Sequence, residues 1–130
     1  MVGEVDWRPN ISHHKKEKFL GELTLFSVPV LYPEAFGLYS VETLISGVPI
    51  VQPETAAFPE LIEATGGGVM VRPDDPVALA EKWKELLDQP EELQAMGERG
   101  RRAVLDDYSV EAMQERFMSL AKTLVDGGAR

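Results

Sequence analysis

Three short, mostly apolar runs rich in β-branched residues constrain this chain more than any other feature: LTLFSVPVLY (23–32), VPIVQ (48–52) and GVMVR (68–72). A strand apolar at nearly every position needs cover on both faces, unlike the alternating pattern of a sheet with one wet side. Helical patterns separate the runs. KKEKFLGEL (15–23) brings Phe19, Leu20 and Leu23 to one face, SVETLIS (40–46) is a short helix, and FPELIEAT (58–65) carries Leu61, Ile62 and Ala64. Parallel strands require crossovers, and helices are the usual ones. The sequence therefore predicts an α/β fold, a three-layer Rossmann-like parallel sheet of about four strands, with GEVDW (3–7) as a weaker strand at the front.

From position 75 the pattern turns wholly helical. Asp75 before Pro76 reads as an N-cap with proline at the first helical position, followed by Leu79, Ala80, Trp83, Leu86 and Leu87 at helical spacing. A second helix starts at Pro90 with Leu93, Met96, Gly100, Ala103 and Val104. A third starts at Ser109 with Met113, Phe117, Leu120, Ala121 and Leu124. The last stripe must fold back over the sheet or meet another subunit or domain.

A chain of 130 residues is one domain in size, and its net charge of -9 repels a nucleic-acid backbone and an anionic membrane surface. It has no cysteine, which removes disulfides and thiolate metal sites and fits a reducing compartment. No stretch approaches the roughly 20 apolar residues that span a bilayer, and MVGEVDWRPN lacks the apolar core of a signal peptide. A cytoplasmic location, with no integral membrane segment and no nucleic-acid partner, is the expectation.

The chemistry concentrates in PEAFGLYSVE (33–42). Glu34 follows a predicted strand, Gly37 permits a tight turn or close backbone approach, and Glu42 falls near the start of the next helix. In an open parallel sheet that edge is where ligands bind. Ionised carboxylates accept hydrogen bonds from paired hydroxyls, and the N–H groups of Gly37, Leu38 and Tyr39 at a helix start suit a phosphate. The residues alone also allow a plainer reading, with Glu34 a solvated turn residue and Glu42 favouring the helix dipole. Lys15, Lys16 and Lys18 read as a solvated helix face, and His13 and His14 as loop residues with no metal role.

The succession PEAFGLYSVETLISGVPIVQ, FPELIEATGGGVMVRPDDPVALAEKWKELL and GRRAVLDDYSVEAMQERF resembles the C-terminal, donor-binding half of GT-B fold glycosyltransferases of the group 1 (retaining) family. The resemblance covers nearly the whole chain and is strongest from Val28 to Leu87. It implies that Glu34 and Glu42 form the family's E-x7-E motif, with Glu34 contacting hydroxyls of the transferred sugar and acting at the catalytic centre, and Glu42 binding the ribose. It implies that the amides of Phe36, Gly37 and Leu38 approach the sugar and diphosphate.

SGVPIV, with Gly47 and Pro49, is similar to the family's helix-to-strand corner, and FPELI, with Glu60, to its PE turn. Where relatives often carry a Gly-Gly pair before that turn, this chain has Ala56 and Ala57. The resemblance further implies that the donor half begins with two strand–helix units and that a separate N-terminal domain binds the acceptor. Neither lies within these residues, so 1–130 reads as a partial domain. The expected function is transfer of a sugar from a nucleotide-diphosphate sugar to an acceptor hydroxyl with retention, without cofactor or obligatory metal. The fragment alone is expected to be inactive. The alternative is a non-catalytic nucleotide-sugar-binding or assembly module of the same fold. Two absent central strands would leave an exposed edge, which predicts a homodimer or a swapped arrangement.

Overall fold

Ile50 and Val51 point to opposite faces of one strand, and each seeds a core. The computed structural model describes residues 3–31, 37–107 and 110–127. Its elements run α1 (His13–Gly21), α2 (Leu38–Ile45), β1 (Ile50–Pro53), α3 (Phe58–Thr65), β2 (Gly68–Val71), α4 (Pro76–Leu87), α5 (Pro90–Asp107) and α6 (Val110–Gly127). β1 and β2 pair in parallel, Ile50 opposite Gly68 and Pro53 opposite Val71. On one face Ile50 packs with Val41 and Leu44 of α2, Leu61 and Ile62 of α3, and Val104 of α5. On the other, Val51 and Val71 pack with Leu86 of α4 and Leu93 and Met96 of α5. Helices thus cover both faces of a small parallel sheet, and α5 contributes to both cores.

The strand content is smaller than the sequence predicts. Among the described residues, GEVDW forms no strand, and the run 23–32 contributes one parallel bridge, Phe26 to Ile50. Phe26 N–H donates to the Pro49 carbonyl (3.0 Å) and Val51 N–H to the Phe26 carbonyl (2.8 Å). The next parallel repeat needs an N–H from residue 53, which is proline and has none. Val28 N–H instead donates to the side-chain Oε1 of Gln52 at 2.8 Å. The ladder stops because Pro53 cannot extend it, and the buried Gln52 amide takes the orphaned donor.

His13 and His14 are not loop residues but open α1. Ser12 caps that helix by accepting from Lys15 N–H at 3.4 Å, and His13 lies 3.1 Å from Glu17. Ahead of it, Arg8 stacks 5.5 Å from the Phe19 ring and donates to Asp6 at 2.7 Å. The Asp6 hydrogen bond and charge raise the Arg8 pKa further above its ordinary value. The predicted cap at Asp75 is present, its carboxylate accepting from Ala78 N–H at 2.9 Å.

α5 lies close to the corner between α2 and β1 because Gly97 leaves room for it. A Cβ there would stand 2.1 Å from the Gly47 carbonyl oxygen, so the backbones meet directly. α6 shows an apolar stripe to solvent, with Phe117 69%, Leu120 58% and Leu124 63% exposed. Among the described residues, no helix is long and apolar enough to cross a membrane.

Candidate functional site

The sharp entry into α2 begins at Gly37, whose φ of 68° and ψ of 56° lie in the left-handed region that a residue with Cβ adopts at a cost. Its carbonyl accepts from Ser40 N–H at 2.8 Å, closing the first turn. Two side chains hold that turn from beneath. The Tyr39 ring sits between Phe26 and Phe58, at centroid distances of 6.0 and 6.4 Å. The Ser40 hydroxyl, fully buried, accepts from Gln52 Nε2 at 2.9 Å. Since Gln52 also accepts from Val28 N–H, one amide fastens the start of α2 to β1 and to the segment beside it.

Leu38 and Glu42 are four residues apart and share the helix face turned away from that core. Leu38 is exposed, and the Glu42 side chain retains 26% of its accessibility. Glu42 Oε2 lies 2.7 Å from Lys16 Nζ, a contact from α1 to α2. The sequence reads Lys15, Lys16 and Lys18 alike as a solvated face; the structure separates them, leaving Lys15 and Lys18 exposed and Lys16 half-buried against Glu42. Glu34 and Phe36 lie outside the described residues. Of the predicted site residues, the structure therefore places Gly37, Leu38, Tyr39 and Glu42 on one helical turn and a half. That face presents a helix N-terminus, which favours anions, and one turn further on a carboxylate, which accepts from hydroxyls.

A cavity of about 220 Å³ opens at the carboxyl ends of β1 and β2, between Leu31, Pro53, Val71, Arg72 and Leu79. It is largely apolar and is not lined by Gly37, Leu38, Tyr39 or Glu42. Asp75, at its rim, is already engaged in capping α4. The carboxyl edge of the sheet is where open α/β folds bind ligands, but the groups suited to a phosphorylated polyol stand on α2.

The Ala56–Ala57 departure has a structural consequence. Ala56 adopts φ 54°, in the left-handed region, just ahead of Ala57 at the N-cap of α3. A glycine there carries no steric penalty; an alanine does.

Comparison with known proteins matches residues 3–103 to the family described as glycosyl transferases group 1. Curated relatives include an MMP alpha-(1->4)-mannosyltransferase from Mycolicibacterium hassiacum, 33% identical over 111 residues that make up 85% of this chain and 27% of that protein. A D-inositol 3-phosphate glycosyltransferase 1 from Catenulispora acidiphila is 27% identical over 128 residues, 98% of this chain and 30% of that one. Among solved structures, sucrose-phosphate synthase from Thermosynechococcus elongatus superposes with a TM-score of 0.79 at 25% identity, over 90% of this chain and 29% of that chain. HepE from Anabaena, solved in complex with UDP, shares the fold with a TM-score of 0.73 at 19% identity, over 81% of this chain and 29% of that chain. The chain thus spans under a third of the length of these relatives. With a GT-B type α/β architecture and a family match across most of its length, this chain belongs to the glycosyl transferases group 1.

Proposed function

We propose that these residues form the donor-binding, C-terminal part of a retaining glycosyltransferase that uses a nucleotide-diphosphate sugar. The observation that carries this reading is the α2 entry: a left-handed glycine at the helix start and, on the outward face one turn on, a carboxylate at the second position of an E-x7-E spacing. The first-turn amides of α2, at the positive end of its dipole, face the diphosphate. Glu42 accepts from the vicinal hydroxyls of the ribose. Glu34 and the Phe36 amide serve the transferred sugar, with Glu34 at the catalytic centre. In the complete enzyme the bond from the anomeric carbon to the leaving phosphate oxygen breaks, and an acceptor hydroxyl takes its place with configuration retained, without cofactor or obligatory metal. A separate acceptor domain completes the cleft, and the reaction belongs in the cytoplasm.

Aligning donor with acceptor supplies a large share of the rate enhancement in such a reaction. On this reading the 130 residues made alone bind donor but turn none over. Calorimetry with UDP, GDP and ADP and their sugars tests the reading: at least one binds, and Glu42→Ala weakens it tenfold or more, in keeping with about 1.5–3 kcal/mol for a hydrogen bond to a charged group. Turnover of a sugar nucleotide by the isolated chain contradicts the proposed division of labour.

Ala56 supports a second reading. Ala56 holds a left-handed backbone that suits glycine, and this departure from the relatives' Gly-Gly pair fits a binding or assembly module freed from catalytic demands on that loop. Absence of binding to every nucleotide tested favours the assembly role.

A further inference from the structure

We infer that Lys16 is a positioning residue of the donor site: its ammonium fixes the Glu42 carboxylate and offsets the carboxylate's repulsion of a nucleoside diphosphate. This rests on the proposed function and deepens it, because it adds to the site a cation from a helix outside the E-x7-E segment.

The geometry is specific. Ser12 caps α1, and its carbonyl accepts from Lys16 N–H at 2.9 Å, which sets Lys16 in the first turn. Leu20, one turn later, is buried and anchors α1. From that position Lys16 reaches Glu42 Oε2 at 2.7 Å, while Lys15 and Lys18 remain exposed. The contact engages one carboxylate oxygen. An ionised carboxylate offers about four lone-pair sites, so Glu42 can keep its lysine and still accept from two ribose hydroxyls.

The need for such a cation follows from charge. The chain carries a net charge of -9, and an unpaired Glu42 beside the helix start would oppose the phosphates that the helix dipole attracts. Pairing makes the local field close to neutral, and it restricts a side chain that would otherwise sample several rotamers. A partly exposed pair adds little to folding stability, so its contribution falls on binding, where orientation and local charge both count.

The test is calorimetry of the 130-residue chain with UDP, GDP and ADP at low and high salt, comparing wild type, Lys16→Met, Lys16→Arg and Lys15→Met. Circular dichroism and thermal melting confirm that each variant folds. The inference predicts that Lys16→Met weakens nucleotide binding by roughly threefold to tenfold at low salt, with a smaller loss at high salt. Lys16→Arg restores most of the affinity. Lys15→Met, which removes the same charge one residue away, leaves it within about twofold, as expected for a charge exposed beyond the site. Equal or tighter binding by Lys16→Met overturns the inference, as does an equal loss in Lys15→Met, which would show bulk charge at work. Should wild type bind none of the nucleotides, the proposed function itself fails and takes the inference with it; a wild type that binds while Lys16→Met is unchanged removes only the inference.

Discussion

Gln52 Nε2 donates to Ser40 Oγ across 2.9 Å, and both residues are wholly buried. Together with the bond from Val28 N–H to Gln52 Oε1, this makes one side chain the joint between β1, the truncated neighbouring segment and the first turn of α2. Gln52→Leu keeps the volume and removes the partner of both groups, leaving a part-buried N–H and a buried hydroxyl unsatisfied. A loss of about 2–3 kcal/mol is expected in urea denaturation, given the cost of stranded polar groups. A loss below about 0.5 kcal/mol would show that the amide is not the joint described here.

Gly97 meets the Gly47 carbonyl with no room for a methyl group, and the obstructing atom is backbone. Gly97→Ala should therefore push α5 from the α2–β1 corner and cost about 2 kcal/mol. Unchanged stability would mean that the helix shifts freely at this contact.

Ala56 holds φ 54° without the glycine that suits it. Ala56→Gly relieves about 1–2 kcal/mol of steric cost and returns about 0.4–1 kcal/mol to the unfolded chain as backbone entropy. The expected net result is a gain of about 0.5–1 kcal/mol, read as a raised midpoint of denaturation. A loss of stability would contradict the left-handed assignment.

Phe117, Leu120 and Leu124 form an exposed apolar stripe on α6. We propose that the isolated chain self-associates through it, so that sedimentation velocity shows species larger than monomer and Phe117→Glu with Leu120→Glu returns them to monomer. A wild-type chain that stays monomeric at high concentration contradicts this.

Much of the scaffold is legible in the sequence because it rests on local chemistry. The Asp75–Pro76 cap, the span of α3 and the parallel strands at VPIVQ and GVMVR follow from capping, periodicity and β-branched runs. The run 23–32 misleads because its composition suits a strand, while its pairing depends on a proline in a different segment. Pro53 lacks the N–H that the ladder needs; within the run, Pro29 is the local sign against a long strand. Lys16 is hidden for a similar reason: its charge looks like that of its neighbours until the packing of α1 on α2 selects it. His13 and His14 are weak helix formers, and the Ser12 cap that brings them into α1 is the signal that could have placed them there. Within the candidate site, the turn at Gly37 and the place of Glu42 on the helix that follows are legible from turn chemistry and helical pattern, whereas the anchoring of that helix by Gln52, Tyr39 and Phe58 is tertiary.

The proposed function requires nucleotide to bind at α2. A nitrogen–proton NMR titration of the 130-residue chain with UDP, GDP and ADP reads that location directly. The predicted result is a set of shifts centred on the amides of Gly37, Leu38, Tyr39, Ser40 and Glu42. Shifts centred instead on Leu31, Val71 and Arg72 around the apolar cavity, or none with any nucleotide, would contradict it.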